Sequence, residues 1–292
     1  MELSWIESLS AEQGAEVARL LEAAERVDGV APVGEQVVLR LRPGAPGSGH
    51  LLARDGGALV GYLHLDLFGD ADGNRVAELA VHPDHRRQGI GTALVTAAAE
   101  RAEPLRVWAH GDHPGARALA AALGYRKVRE LLRLRRALDD ALPEPVLPEG
   151  VRLRAFVPGQ DEAAVVYVNH RAFAWHPEQG AMSIEDVRQR EEERWFDPAG
   201  FLLAVDAEDR LLGFHWTKAH TAELGEVYVV GVDPDAQGGG LGKALTLAGL
   251  AHLRRTGSRE VMLYVESDNA PALAVYTRLG FSRWDSDAQY AK

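Results

Sequence analysis

One stretch of this sequence occurs twice. Glu78-Leu-Ala-Val-His-Pro83-Asp-His-Arg86-Arg-Gln-Gly89-Ile-Gly91-Thr-Ala-Leu94 is echoed by Val229-Val-Gly-Val-Asp-Pro234-Asp-Ala-Gln237-Gly-Gly-Gly240-Leu-Gly242-Lys-Ala-Leu245. Pro83 and Pro234 lie 151 positions apart, as do Gly89 and Gly240. Later, Ala121-Ala-Leu-Gly124-Tyr125 is echoed by Thr277-Arg-Leu-Gly280-Phe281 at a separation of 156. In a chain of 292 residues this period means two copies of one domain. A solenoid would repeat every ~20–50 residues. The proline-rich stretch Ala137–Gly150 reads as a semi-rigid spacer. The expected organisation is therefore a first domain over 1–140, a linker over 141–150 and a second domain over 151–292.

Each half reads as mixed α/β. In the second half, strands are expected over Val151–Arg154, Phe201–Val205, Leu211–Trp216, Val227–Val232 and Val261–Val265. Helices are expected over Glu162–Ala174, Gly240–Leu253 and Ala270–Leu279, the last capped by Asp268-Asn269 and closed by Gly280. The first half follows the same order: strand Arg75–Val81, helix Gly89–Arg101, strand Leu105–Trp108, helix Pro114–Leu123 and strand Lys127–Arg135. The acidic run Glu191-Glu-Glu-Arg194 reads as a solvated helix face.

The shared Arg/Gln-x-x-Gly-x-Gly lies between a strand and a helix. Glycines let the backbone turn tightly and approach a ligand. The first amides of the following helix lack intrahelical partners and sit at its positive dipole end, where a pyrophosphate can bind. One such loop alone is most simply a strand-to-helix turn. Two copies in matched context favour phosphate binding. The dinucleotide order Gly-x-Gly-x-x-Gly is absent at both loops, and Gly240-Leu-Gly242-Lys243 lacks the spacing of a Walker loop.

Composition narrows the chemistry. A formal net charge of −11 argues against nucleic acid as a partner. With no cysteine, disulfides, thiolate metal sites and a cysteine nucleophile are excluded. His110, His113, His170, His215 and His252 show no metal-ligand spacing and read as surface or core residues, so no metal is expected. No signal peptide is visible over Met1–Ser10 and no apolar stretch approaches a membrane span, so a cytoplasmic protein without membrane contact is expected.

At this point the motifs resemble a known superfamily. The two glycine loops are similar to the acetyl-CoA pyrophosphate loop of GNAT acetyltransferases, and Asn269 and Tyr276 with Leu279-Gly280-Phe281 resemble a later motif of the same group. Gly34-Glu-Gln36, Ala174-Trp-His-Pro-Glu178-Gln179, Gly213-Phe-His-Trp-Thr-Lys218, Gly225-Glu-Val-Tyr-Val-Val-Gly-Val-Asp-Pro234 and Leu263-Tyr-Val-Glu-Ser-Asp-Asn269 resemble the mycothiol synthase family over nearly the whole chain. That actinobacterial family consists of tandem GNAT enzymes. The resemblance implies two acyl-CoA N-acyltransferase domains, each a mixed, mostly antiparallel twisted sheet flanked by helices. It implies acetyl-CoA as co-substrate and, as acceptor, the cysteinyl amine of a cysteine–glucosamine–inositol conjugate. A monomer acting on this small amine is expected.

The resemblance further implies acceptor contacts at Glu35, Glu178, Lys218, Glu226 and Tyr264. Acetyl-CoA contacts are implied in the first half at Leu79, Ala80, Val81, Arg87, Gln88, Gly89, Ile90, Gly91 and Thr92. In the second half they fall at Val230, Gly231, Val232, Gln237, Gly238, Gly239, Gly240, Leu241, Gly242, Lys243, Asn269, Ala270, Pro271, Ala272, Leu273 and Ala274. One departure is visible. Gln237-Gly-Gly-Gly240 stands where relatives usually carry arginines, which removes side-chain donors but keeps the backbone amides.

Acetyl transfer to an amine needs a base for the amine proton, a donor for the thioester oxygen and an acid for the leaving thiolate. Glu226 begins the strand that leads into the cofactor loop and is the candidate base. Its alternative is an exposed strand-end carboxylate. The amide of Val230 or Val232 could polarise the thioester carbonyl. Tyr276 is the candidate acid, and without the family pattern would read as a core tyrosine. Aligning Pro83 with Pro234 puts Arg75 opposite Glu226, and aligning Gly124 with Gly280 puts Ala120 opposite Tyr276. The first half is therefore expected to bind acetyl-CoA without transferring it. The alternatives are a GNAT enzyme for another small amine and a non-catalytic acetyl-CoA sensor.

Overall fold

The computed structural model describes residues 1–44, 47–70, 72–139, 142–176 and 179–292. In chain order the elements are β1 (Glu2–Ile6), α1 (Ala11–Asp28), α2 (Glu35–Arg40), β2 (Ser48–Asp55), β3 (Ala58–Asp66), β4 (Arg75–Val81), α3 (Ile90–Arg101), β5 (Leu105–Ala109), α4 (Pro114–Leu123) and β6 (Arg126–Ala137). They continue with β7 (Arg152–Ala155), α5 (Glu162–Ala172), α6 (Ile184–Glu191), β8 (Phe201–Val205), β9 (Leu211–Ala219), β10 (Leu224–Val232), α7 (Leu241–Arg255), β11 (Glu260–Glu266), α8 (Ala270–Arg278) and β12 (Ser282–Ala291). No helix among the described residues is long and apolar enough to cross a membrane.

The chain forms two compact units, Met1–Leu131 with Asp285–Lys292, and Leu132–Trp284. The units thus part from the sequence halves at their last strands. Residues after Leu131 in β6 belong to the second unit, and the carboxy-terminal Asp285–Lys292 belongs to the first. Strand pairing decides this, and a sequence repeat does not encode pairing partners.

In the first unit the strands run in the order β1-β2-β3-β4-β5-β12. β4 and β5 pair in parallel, whereas β1 with β2, β2 with β3, β3 with β4 and β12 with β5 pair antiparallel. Successive strand residues serve opposite faces. Leu51, Leu63 and Ala77 pack with Ile90, Leu94 and Ala98 of α3. Leu52, Tyr62 and Ala80, on the opposite face, pack with Val17, Leu20 and Leu21 of α1. A capping box starts α1: Ser10 Oγ accepts from the Gln13 amide at 3.2 Å and Gln13 Oε1 accepts from the Ser10 amide at 2.9 Å. Gly29 ends the helix at φ 71°.

The second unit repeats this plan with the order β6-β11-β10-β9-β8-β7, β10 and β11 being parallel and the β7, β8, β9 and β10 neighbours antiparallel. One face carries an aromatic core in which Phe201 stacks on Trp216 at 4.3 Å and on Phe156 at 4.4 Å. On the other, Leu247, Leu250 and Leu253 of α7 meet Val227, Val261 and Leu263. Each unit is thus a mostly antiparallel sheet flanked by helices. The acidic run departs from the sequence reading: α6 ends at Glu191 with Glu192 at its cap, so the run leaves the helix after its first residue.

Candidate active site

In the second unit, β10 passes into α7 through a short turn at Pro234–Ala236, which Asp233 caps by accepting the Asp235 amide at 2.9 Å. Gln237 Nε2 donates to the Val232 carbonyl at 3.2 Å, so this side chain braces the loop. Gly238 and Gly240 sit at φ 92° and 82°, where a side chain would be strained. The first helical bond reaches back from the Ala244 amide to the Gly240 carbonyl at 3.0 Å. The amides of Leu241, Gly242 and Lys243 therefore stand at the helix start without an intrahelical acceptor. Gln237 through Gly240 are exposed. The donor set fits a pyrophosphate. It is built from backbone, so the missing arginines do not remove it.

A β-bulge lies just upstream. Val227 pairs with Thr217 and Val229 with Trp216, which leaves Tyr228 as the extra residue. On the opposite edge the parallel pairing runs from Leu224–Val227 against Glu260–Leu263. Beyond those pairs β10 continues to Val232 and β11 to Glu266. The strands part where Val230, Gly231 and Val232 lie, so this edge of β10 is placed to offer backbone groups to a thioester.

Glu226 is buried on the near side of the bulge, across from Lys218 on β9 and Met262 on β11. The His220 ring donates through Nε2 to Glu226 Oε2 at 2.6 Å. The Lys218 ammonium lies 4.7 Å from the centre of the Trp195 ring and 5.1 Å from that of Tyr228, a cation–π arrangement on both. Tyr228 accepts through its hydroxyl from Arg190 Nε at 2.6 Å. The bulge thus carries a ring that helps to seat the lysine opposite Glu226.

Asn269 caps α8, its Oδ1 accepting the Ala272 amide at 3.2 Å, and Ala270, Pro271, Ala272, Leu273 and Ala274 form the first turns. Tyr276 on this helix packs with Leu273 against the cluster that holds Val227 and Val265. Its ring lies 5.7 Å from that of Phe281. Burial pushes its phenol up to about 12, so it keeps its proton at neutral pH. Tyr264 is exposed on β11. Two residues on, Glu266 faces His176 Nε2 at 3.4 Å. Glu178 lies outside the described residues.

The first unit repeats the loop but not the site. Gly89 caps α3 at φ 82°, and the Ala93 amide reaches its carbonyl at 3.0 Å. Gln88, Ile90, Gly91 and Thr92 surround this helix start. Arg87 takes the left-handed conformation, φ 63°, that Gly238 takes in the second unit. Arg86 is held by Asp28 through two bonds of 2.7 and 2.8 Å. The β3–β4 register runs unbroken from Gly61↔Val81 to Asp66↔Val76. Counting pairs from Gly213↔Val232 and from Gly61↔Val81 places Val76 where Glu226 stands, and Asp66 where Lys218 stands. This corrects the sequence alignment, which set Arg75 there. The bulge at Tyr228 adds one residue that the alignment could not see.

The first unit carries a different polar assembly. Glu78 Oε2 accepts from the Gly34 amide at 2.6 Å and from His110 Nε2 at 2.8 Å. Asp287 accepts from His110 Nδ1 at 3.1 Å and from the Gly111 amide at 2.7 Å. Burial alone would lower the His110 pKa, but the hydrogen bonds to Asp287 and Glu78 outweigh it and push it up to about 10. Gly34 is the N-cap of α2, so this assembly also anchors the helix whose first residue is Glu35. Sequence reading missed the assembly, because Asp287 lies 177 residues from His110. It also missed His220, Arg190, Trp195 and Tyr228. For His220 the signal was present: it follows by two positions Lys218, the end of an already singled-out motif.

The acetyltransferase (GNAT) family pattern matches residues 17–125 and 169–281. The chain is 68% identical to the mycothiol acetyltransferase of Actinosynnema mirum, with 99% of each chain covered. It is 56% identical to that of Saccharopolyspora erythraea, covering 94% of this chain and 99% of the relative. Among solved structures, a tandem GNAT protein from the clavulanic acid biosynthesis pathway superposes with a TM-score of 0.73 at 26% identity, over 100% of this chain and 98% of the other. A GCN5-related N-acetyltransferase from Sphaerobacter thermophilus does so with a TM-score of 0.68 at 24% identity, covering 99% and 95%.

Proposed function

We propose that this chain, which belongs to the acetyltransferase (GNAT) family, acetylates the cysteinyl amine of a cysteine–glucosamine–inositol conjugate to form mycothiol. Acetyl-CoA supplies the activated acetyl group. The observation that carries the reading is the buried carboxylate of Glu226, set beside the bulge on the strand that leads into the glycine loop.

The amides at the start of α7 hold the pyrophosphate, and the parted edge of β10 over Val230–Val232 receives the thioester. Glu226 takes the proton of the acceptor amine, directly or through one water. An α-amino group has a pKa of about 7.7–8.0, so the base needs to supply only modest help. Tyr276 gives its proton to the departing thiolate, and its raised pKa keeps that proton in place until then. Lys218 and Tyr264 supply hydrogen-bonding groups for the polar acceptor. The acceptor also carries a thiol. Placement of the amine beside Glu226 directs the acetyl group to nitrogen.

The second unit carries the chemistry. The first keeps a glycine loop but has Val76 and Ala120 at the positions of Glu226 and Tyr276, which supports acetyl-CoA binding there without transfer. The substrate assignment is tested by kcat/KM for the cysteinyl conjugate against a polyamine and an aminoglycoside. Preference for the conjugate by about 10,000-fold or more, the scale on which a site built to hydrogen-bond its substrate rejects analogues that leave its polar groups unpaired, is expected. Equal rates would leave the acetyltransferase and overturn its acceptor.

A further inference from the structure

The hairpin between β9 and β10 is closed on itself. The His220 amide donates to the Leu224 carbonyl at 2.9 Å, and Thr221 Oγ1 accepts the amides of Glu223 and Leu224 at 3.2 and 3.0 Å. This fixes the backbone from which the His220 ring reaches Glu226 Oε2 at 2.6 Å. The two partners differ sharply in exposure, 32% for the His220 side chain and 5% for that of Glu226. A turn residue therefore delivers a donor to a carboxylate that the sheet has removed from water. Lys218, the strand neighbour of Glu226, has its ammonium seated over Trp195 and Tyr228.

A buried carboxylate acting as a base has two requirements. Its desolvation must be offset by a hydrogen bond. One of its oxygens must also stay open toward the amine. We infer that His220 is a positioning residue for Glu226: it occupies Oε2 and so aims Oε1 at the acceptor. This rests on the reading of Glu226 as the base. In the transfer step the acceptor nitrogen bonds to the acetyl carbon and the C–S bond to CoA breaks. The amine N–H bond breaks and an O–H bond forms on Oε1, the departing thiolate takes the Tyr276 proton, and the bond from His220 to Oε2 persists. After the products leave, Glu226 gives its proton to solvent and Tyr276 regains one from it.

The test uses the full chain with His220→Ala, His220→Gln and Glu226→Gln. The amide nitrogen of glutamine can stand about where Nε2 stands, so His220→Gln keeps a donor without the ring. His220→Ala is expected to lower kcat about 10- to 100-fold, the range for losing a hydrogen bond to a charged group. Its KM for acetyl-CoA, which reads only the transferring site, is expected to be unchanged, which also shows that the second unit folds. His220→Gln is expected to recover most of the lost kcat. Parental kcat in His220→Ala, or a His220→Gln variant as slow as His220→Ala, would overturn the inference. If Glu226→Gln itself retained parental kcat, the base assignment would fall, and the role of His220 with it. If Glu226→Gln were slow and His220→Ala were not, only the role of His220 would fall.

Discussion

Lys218 stands directly across from Glu226 in the antiparallel register of β9 and β10, one pair before the bulge at Tyr228. The bulge makes this pair useful. Past it, β10 leaves β11 and its edge is free for a thioester. Before it, the carboxylate and the ammonium stay in the sheet, fixed by strands buried on both faces. The first unit has Asp66 and Val76 at the same pairing positions and no register shift between them. At these pairing positions the two copies thus differ by one inserted residue and by both members of the pair, which is the difference that the proposed function assigns to a transferring and a non-transferring copy, together with Tyr276 against Ala120.

Replacing Glu226 with Gln keeps the shape of the side chain and removes its basicity. A fall in kcat of about 100- to 10,000-fold is expected, the usual range for a positioned general base. Acetyl-CoA affinity, measured by calorimetry, is expected to stay at the parental value, because the loop amides are untouched.

Tyr276→Phe is expected to lower kcat at least about 10-fold at pH 7.5. Because burial raises the phenol to about 12, ionisation of Tyr276 does not enter the pH profile below pH 10. Parental kcat in Tyr276→Phe would contradict the acid role, whereas an alkaline fall in kcat in the range pH 8–10 that disappears in Tyr276→Phe would contradict only the raised pKa.

Three buried histidines, His50, His64 and His215, contribute to the loss of stability in acid. Burial lowers the pKa of His50, His64 and His215 from 6.5 to about 4. These groups are neutral in the folded chain and charge once it unfolds. Their contribution is fully present above pH 6.5 and is lost as pH falls toward 4. Urea midpoints measured across this interval are expected to drop steeply. His110 acts in the opposite sense. Its pKa is raised to about 10, so its contribution is complete below pH 6.5 and fades as pH rises toward 10.

Gly249 in α7 is required by His215. A methyl group there would meet the imidazole at 2.0 Å, and the ring is held by its Nδ1 donating to the Leu245 carbonyl at 2.8 Å. Gly249→Ala would ordinarily favour a helix. Here it is expected to destabilise the chain by about 1–3 kcal/mol, as overpacking does, read as a lower thermal midpoint.

The duplication, the glycine loops and the strands leading into them were legible in the sequence, because each combines an apolar run with turn residues at fixed spacing. β2 and β3 were not called. His50 and His64 interrupt their apolar pattern, and only the folded sheet shows those rings buried beside Tyr62 and Ser48. Glu226 and Lys218 could be picked out from their motifs, but their opposition depends on register. The Tyr228 bulge, the ring of His220 on Glu226 and the reach of Asp287 to His110 are set by pairing between distant segments. No local pattern announces them.

The most direct measurement is the mass and linkage of the product formed from acetyl-CoA and the cysteinyl-glucosaminyl-inositol conjugate. Mass is preferable to a thiol assay, since the acceptor carries a thiol of its own. A single acetyl group in amide linkage, formed by the parent and lost in Glu226→Gln, is the expected result. No acetylated product from a chain that still binds acetyl-CoA would contradict the proposed function.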